Sequence, residues 1–187
     1  MTLSITPADS DDLAAVAVQL GREPRGVAGV AWRCPYGRPG VVATAPRLPD
    51  GTPFPTTYYL TCPAAVAACS RLEADGLMAA MTARLAVDDD LRTRYGLAHL
   101  AYLRDRADLA ASLGVPDVPR AGDSAGGMPG RVKCLHALVG HALAAGPGVN
   151  PLGDEAVAAI GEFWCEPCLD EAPHGQVASS GGPEGAL

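Results

Sequence analysis

Strand-forming and helix-forming residues occupy different parts of this chain, and that segregation limits its architecture more than any other feature. Residues 27–33 and 41–44 read as strands joined by the turn Pro35-Tyr-Gly-Arg-Pro-Gly40, and Thr-Thr-Tyr-Tyr-Leu-Thr over 56–61 is the strongest strand signal. Helical spacing marks 9–20, 63–74, 77–86, 89–113 and 130–145, with a further turn or two within 153–163. Asp9 and Ser10 favour a helix start, Pro63 suits a first helical position, and Gly21, Asp75-Gly76 and Gly146-Pro147 suit helix ends. Asp154 is the expected cap in the turn Asn150–Glu155. Strands first and helices after predict an α+β fold: a small antiparallel sheet of about three strands in the N-terminal third, then a helical bundle. The expected organisation is an N-terminal tail over 1–10, one domain over 11–163 and a disordered C-terminal tail over 172–187 rich in Gly, Ser and Pro.

A chain of 187 residues, 48% of them apolar, can bury a real core. The formal charge of −7 argues against a general nucleic-acid surface, which needs a concentrated basic face. No signal-peptide pattern and no apolar stretch of membrane-spanning length is present, so a cytoplasmic protein without membrane insertion is expected. In that compartment the six cysteines are read as thiols or ligands rather than as disulfides.

Three of those thiols lie at well-punctuated positions. Cys34-Pro35 follows the first strand, Cys62-Pro63 follows the third, and Cys134 opens the stretch Cys-Leu-His-Ala-Leu-Val-Gly-His141. In an antiparallel meander the first and third strands run the same way, which would bring Cys34 and Cys62 to one sheet edge. Cys134 is expected in the first turns of a helix, where unpaired N–H groups favour a thiolate. His141 would share its face but sit about 10 Å further along the axis, and His136 would lie nearly opposite. Thiolates and imidazoles are ligands for soft or borderline metals. The expected site is therefore Cys34, Cys62 and Cys134 holding zinc or an iron–sulfur cluster, with His141 or His136 as fourth ligand or supporting partner. The rival reading makes Cys134 a nucleophile with a histidine base, in a hydrolase or transferase. Cys69 reads as a small core residue, and Cys165-Glu-Pro-Cys168 as an accidental pair beside the tail. His99 reads as packing or surface.

A second expectation concerns small anions. Ser124-Ala-Gly-Gly-Met-Pro-Gly130 leads into the Cys134 segment, and Gly-rich loops before helices cradle phosphates or carboxylates. Arg131 and Lys133 stand beside it. Arg25, in Arg22-Glu-Pro-Arg-Gly26, and Arg47, in the Pro-rich loop 46–55, would add guanidinium forks.

These segments resemble the actinobacterial "domain of unknown function 501" family. The likeness is carried by Gly21-Arg-Glu-Pro-Arg-Gly26, Arg33-Cys-Pro-Tyr-Gly37, the loop 46–56, Tyr58-Tyr-Leu-Thr-Cys-Pro63, Ser70-Arg-Leu-Glu73, residues 124–141 and Gly146-Pro-Gly-Val-Asn-Pro151. It implies that Cys34, Cys62, Cys134, His136 and His141 belong to the family pattern, and Cys165 and Cys168 do not. It brings no established activity. Genes of the family often neighbour those for a septum-formation initiator and an exopolyphosphatase. A partner in cell division or phosphate metabolism, served by a non-catalytic adaptor, is what that implies.

Overall fold

Asp9 starts the first helix by a reciprocal pair of hydrogen bonds. Its side chain accepts from the Asp12 backbone N–H at 2.8 Å, and the Asp12 carboxylate accepts from the Asp9 N–H at 3.2 Å. The helix, α1 (Ser10–Leu20), ends at Gly21, whose φ of 64° is open chiefly to glycine. The chain described here is a computed structural model covering residues 5–117 and 125–164. Ahead of α1, Thr6 and Val30 exchange backbone hydrogen bonds of 3.0 and 2.8 Å.

Three strands follow, β1 (Val27–Arg33), β2 (Pro39–Thr44) and β3 (Tyr58–Leu60), in the order β1-β2-β3. Both pairings are antiparallel, with Val30 opposite Val42 and Val41 opposite Leu60. The central strand is buried throughout, as a strand covered on both faces must be. The Arg33 guanidinium clamps α1 to β1 through two bonds to the Asp12 carboxylate, of 2.6 and 2.7 Å.

Six helices among the described residues make the rest an α+β fold. After α1 come α2 (Pro63–Ala74), α3 (Leu77–Val87), α4 (Asp89–Leu113), α5 (Leu135–Ala145) and α6 (Pro151–Ile160). Helix α5 packs against β3, with α2 and α6 on its flanks. Gly140 makes that approach close: a Cβ there would lie 3.0 Å from the Tyr58 carbonyl oxygen. The core runs from the sheet through Leu135, Leu138 and Val139 of α5 to Tyr95 and Tyr102 of α4.

Two helix starts differ from expectation. Helix α5 begins at Leu135, not at residue 130, because the Lys133 and Cys134 N–H groups both turn back to the Gly126 carbonyl. Gly126 has φ of 61°, and a Cβ on it would press 2.9 Å from the Cys134 carbonyl. Helix α6 is capped by Asn150, whose side chain accepts from the Gly153 N–H at 3.0 Å. Asp154 instead accepts from the Gly148 N–H at 2.8 Å and closes the loop before the helix.

The Pro-rich loop 46–55 is a structural clasp in this fold. Arg106 of α4, buried with Asp117 at 3.1 Å, reaches the carbonyls of Phe54, Pro55 and Pro46. Rigid prolines offer carbonyls but no N–H, so a buried guanidinium is a matching partner. Among the described residues no helix is long and apolar enough to cross a membrane.

Candidate metal centre

Glu73 lies in the last turn of α2, Cys134 is the residue capping the N-terminus of α5, and His136 is in the first turn of α5. The Cys134 backbone is extended (φ −155°, ψ 115°), so its side chain leaves the helical path. That departure is why Cys134 and His136 meet instead of lying on opposite faces. Sγ of Cys134 is 3.8 Å from Nδ1 of His136, and Nδ1 is 3.1 Å from Oε1 of Glu73. One donor atom from each residue lies within 4.8 Å of the other two, the only such His/Cys/Asp/Glu group among the described residues.

Each side chain is held from behind. The Leu135 N–H donates to Glu73 Oε1 at 2.6 Å, so the carboxylate satisfies the helix start that the Cys134 side chain does not cap. Nε2 of His136 is 3.1 Å from the Val66 carbonyl oxygen, with Ser70 Oγ at 3.3 Å. A carbonyl only accepts, so Nε2 donates to it, and Nδ1 is the ring nitrogen that faces Cys134 and Glu73. A backbone carbonyl fixing the remote N–H is the usual support of a metal-ligating histidine.

The electrostatics favour a cation between these groups. The contact with Cys134 pushes His136 up to about 9, the Glu73 carboxylate adds to the rise, and partial burial opposes it. A proton on Nδ1 thus occupies the position that a metal ion would take. Beneath the cluster, Cys69 is pushed up to about 12 by burial and by the negative charge of Glu73 and Cys134. It is a buried thiol of the core, as its Ala-rich surroundings suggest.

Cys134 and His136 line an open cleft of about 540 Å³ bordered by α1, β3, α2 and α5, and Glu73 stands behind them. Residues 30–158 match the model of a family described as "Protein of unknown function (DUF501)", and all three residues fall inside that span. This chain belongs to the DUF501 family. No curated protein and no solved structure matches it.

The DUF501 fold does not bring the three expected thiols together. Cys34 follows β1 and Cys62 follows β3, but β2 stands between, and two strand spacings separate chains by about 10 Å. Cys34 sits in the β1–β2 hairpin, its N–H bonded to the Arg38 carbonyl at 2.9 Å. Cys62 is buried at the N-terminus of α2, against Gly40. Neither belongs to the three-donor group that Cys134 forms with Glu73 and His136, and Cys34, Cys62, Cys69 and Cys134 form no disulfides.

His141 is wholly buried, stacked on Tyr58 at 5.9 Å and edge-on to Tyr102 at 5.3 Å. Its Nδ1 faces the Asn150 amide nitrogen at 3.2 Å, so it belongs to the core and not to the cluster. His99 is half-buried on α4, and burial lowers its pKa.

The four expected anion-binding residues are spread over other parts of the surface. Arg25 pairs with Asp50 at 3.7 Å, and Arg47 donates to the Pro116 and Gly51 carbonyls at 3.0 Å each. Arg131 and Lys133 are exposed, and none of the four lines the cleft. Ser124, Cys165, Cys168 and His174 lie outside the described residues.

Glu73 is the functional candidate that the sequence reading passed over. Its signal is present: Val66, Ser70 and Glu73 recur at helical spacing, and all three touch His136.

Proposed function

We propose that this DUF501 protein binds zinc through Glu73, Cys134 and His136. The observation that carries this reading is the convergence of the three donor atoms within 4.8 Å, with the His136 Nε2–H committed to a carbonyl. Tetrahedral zinc with bonds of about 2.0–2.3 Å puts its ligand atoms about 3.4–3.7 Å apart. The distances of 3.1 and 3.8 Å lie on either side of that range. One thiolate, one imidazole and one carboxylate suit zinc better than a four-iron cluster, whose three sulfur ligands are not gathered here. Three protein ligands leave a fourth position, and the cleft beside Cys134 and His136 gives it access. Zinc held this way would act as a Lewis acid, accepting a lone pair from whatever occupies that position, while its two anionic ligands balance its formal charge. A cytoplasmic setting, which keeps thiols reduced, belongs to the same reading.

Elemental analysis of the purified full chain tests it. One zinc per chain is expected, lost in Cys134→Ser, His136→Ala and Glu73→Ala and kept in Cys34→Ser. Zinc retained by Cys134→Ser, or lost from Cys34→Ser, overturns the assignment.

A second reading has one observation in its favour: Cys134 sits at a helix N-terminus, in a cleft, 3.8 Å from an imidazole held protonated. That is the arrangement of a nucleophilic cysteine. It predicts a metal-free protein in which iodoacetamide alkylates Cys134 faster than Cys34 at neutral pH. Zinc that shields Cys134 from alkylation excludes it.

A further inference from the structure

The cleft beside the cluster says what kind of molecule the open position accepts. Its volume of about 540 Å³ suits a small molecule. Leu20, Tyr59, Leu60, Val66, Ala67 and Ala137 supply most of the wall from four different elements, with Gln19, Thr56 and Thr61 as uncharged polar side chains among them. Among the described residues no Lys, Arg, Asp or Glu lines it.

Charge at the centre points the same way. A divalent ion balanced by the Cys134 thiolate and the Glu73 carboxylate carries no net charge. An anionic ligand entering the cleft would lose water and meet neither a cationic side chain nor an uncompensated ion. Such uncompensated desolvation of a charge is costly. Apolar surface, by contrast, gains on leaving water, by about 25 cal/mol per Å².

We propose that the cleft binds a neutral small molecule consisting of an apolar chain and a single nitrogen, oxygen or sulfur donor. The donor meets the ion and the chain lies along Leu60 and Val66. This inference rests on the metal centre argued above, and it gives the small ligand a chemistry different from the anionic one expected of the loops.

The test uses the cobalt(II)-loaded full chain, whose visible absorption reports the ion's surroundings. It is titrated at pH 8 with 1-methyl-, 1-propyl- and 1-butylimidazole, which share one neutral donor and differ only in chain length. Each added methylene is expected to tighten binding about fourfold. Ala67 is exposed on α2, so Ala67→Phe fills the cleft without entering the core. That variant is expected to abolish the chain-length gain while keeping the ligand-free cobalt spectrum, and Ala137→Leu to reduce it. n-Butyl phosphate is expected to bind at least about tenfold more weakly than 1-butylimidazole, since it carries the chain but also the charge. Equal affinities along the imidazole series, a gain untouched by Ala67→Phe, or tight binding of the phosphate overturns the inference and leaves the metal centre standing. Failure of the chain to take up cobalt overturns the metal centre, and the inference with it.

Discussion

His141 shows how one buried side chain ties stability to acidity. The Asn150 amide donates to Nδ1, so the proton sits on Nε2, which has no hydrogen-bond partner among the described residues. Burial between Tyr58 and Tyr102 pushes its pKa down to about 4 from an ordinary 6.5. The folded chain therefore binds fewer protons at this site than the unfolded chain. Its contribution is fully present above pH 6.5 and is lost as pH falls from 6.5 to about 4. The loss amounts to about 3 kcal/mol across that window. Urea unfolding at a series of pH values should show the midpoint falling between pH 6.5 and 4.5. His141→Gln should be less stable at neutral pH but nearly flat over the window. A slope that survives in His141→Gln would assign the acid sensitivity elsewhere. At this scale the sequence exposed part of the site. Cys134 and His136 stand two positions apart in a well-marked segment, whereas Glu73 lies 61 positions from Cys134, and only the packing of α2 on α5 reveals it.

Elements were more legible than the connections between them. The Asp9 cap, Gly21, Pro63 and Asp75-Gly76 mark chain positions where the backbone changes direction for reasons that any sequence carries. The start of α5 was hidden because Pro129 and Gly130 imitate a helix opening. Gly126 in fact takes the N–H groups of Lys133 and Cys134 and delays the helix by five residues. The meander was also legible, but the argument from strand direction set Cys34 and Cys62 on one edge without counting the strand between them. The loop 46–55 pointed toward ligand binding because it is long and rigid. Its rigidity instead presents carbonyls to Arg106, whose side chain is 9% exposed. Arg106→Ala leaves Asp117 buried without its cation and removes a donor from three carbonyls, of which Pro46 keeps the Phe54 N–H. The expected cost is about 3–5 kcal/mol, read as a lower urea midpoint, with zinc content unchanged in the folded fraction. A cost below about 1 kcal/mol, typical of exposed pairs, would show that solvent reaches the clasp.

On the scale of the whole molecule, the cluster joins parts of the chain that the unfolded state holds far apart. Glu73 closes α2 and Cys134 opens α5, so an ion bound to both fastens the first helix after the sheet to the helix at the centre of the core. Such an ion binds the folded chain and finds no assembled site in the unfolded one. Its stabilisation is then set by mass action, about 2.7 kcal/mol at a free zinc concentration one hundred times Kd. For a chain of this size each kcal/mol moves the unfolding temperature by about 2–4 °C. Stripping the metal with a chelator should lower Tm by about 5–10 °C, and restoring zinc should recover it. The same treatment should leave Tm of Glu73→Ala unchanged, because that variant has already lost the link between α2 and α5. The double comparison separates fastening from general damage: a variant that merely loosens the fold would start lower yet still respond to zinc. If chelation empties the wild-type protein of metal without moving Tm, the ion is not a fastener between the two helices, and the burial of Leu135, Leu138 and Val139 alone holds α5 in place.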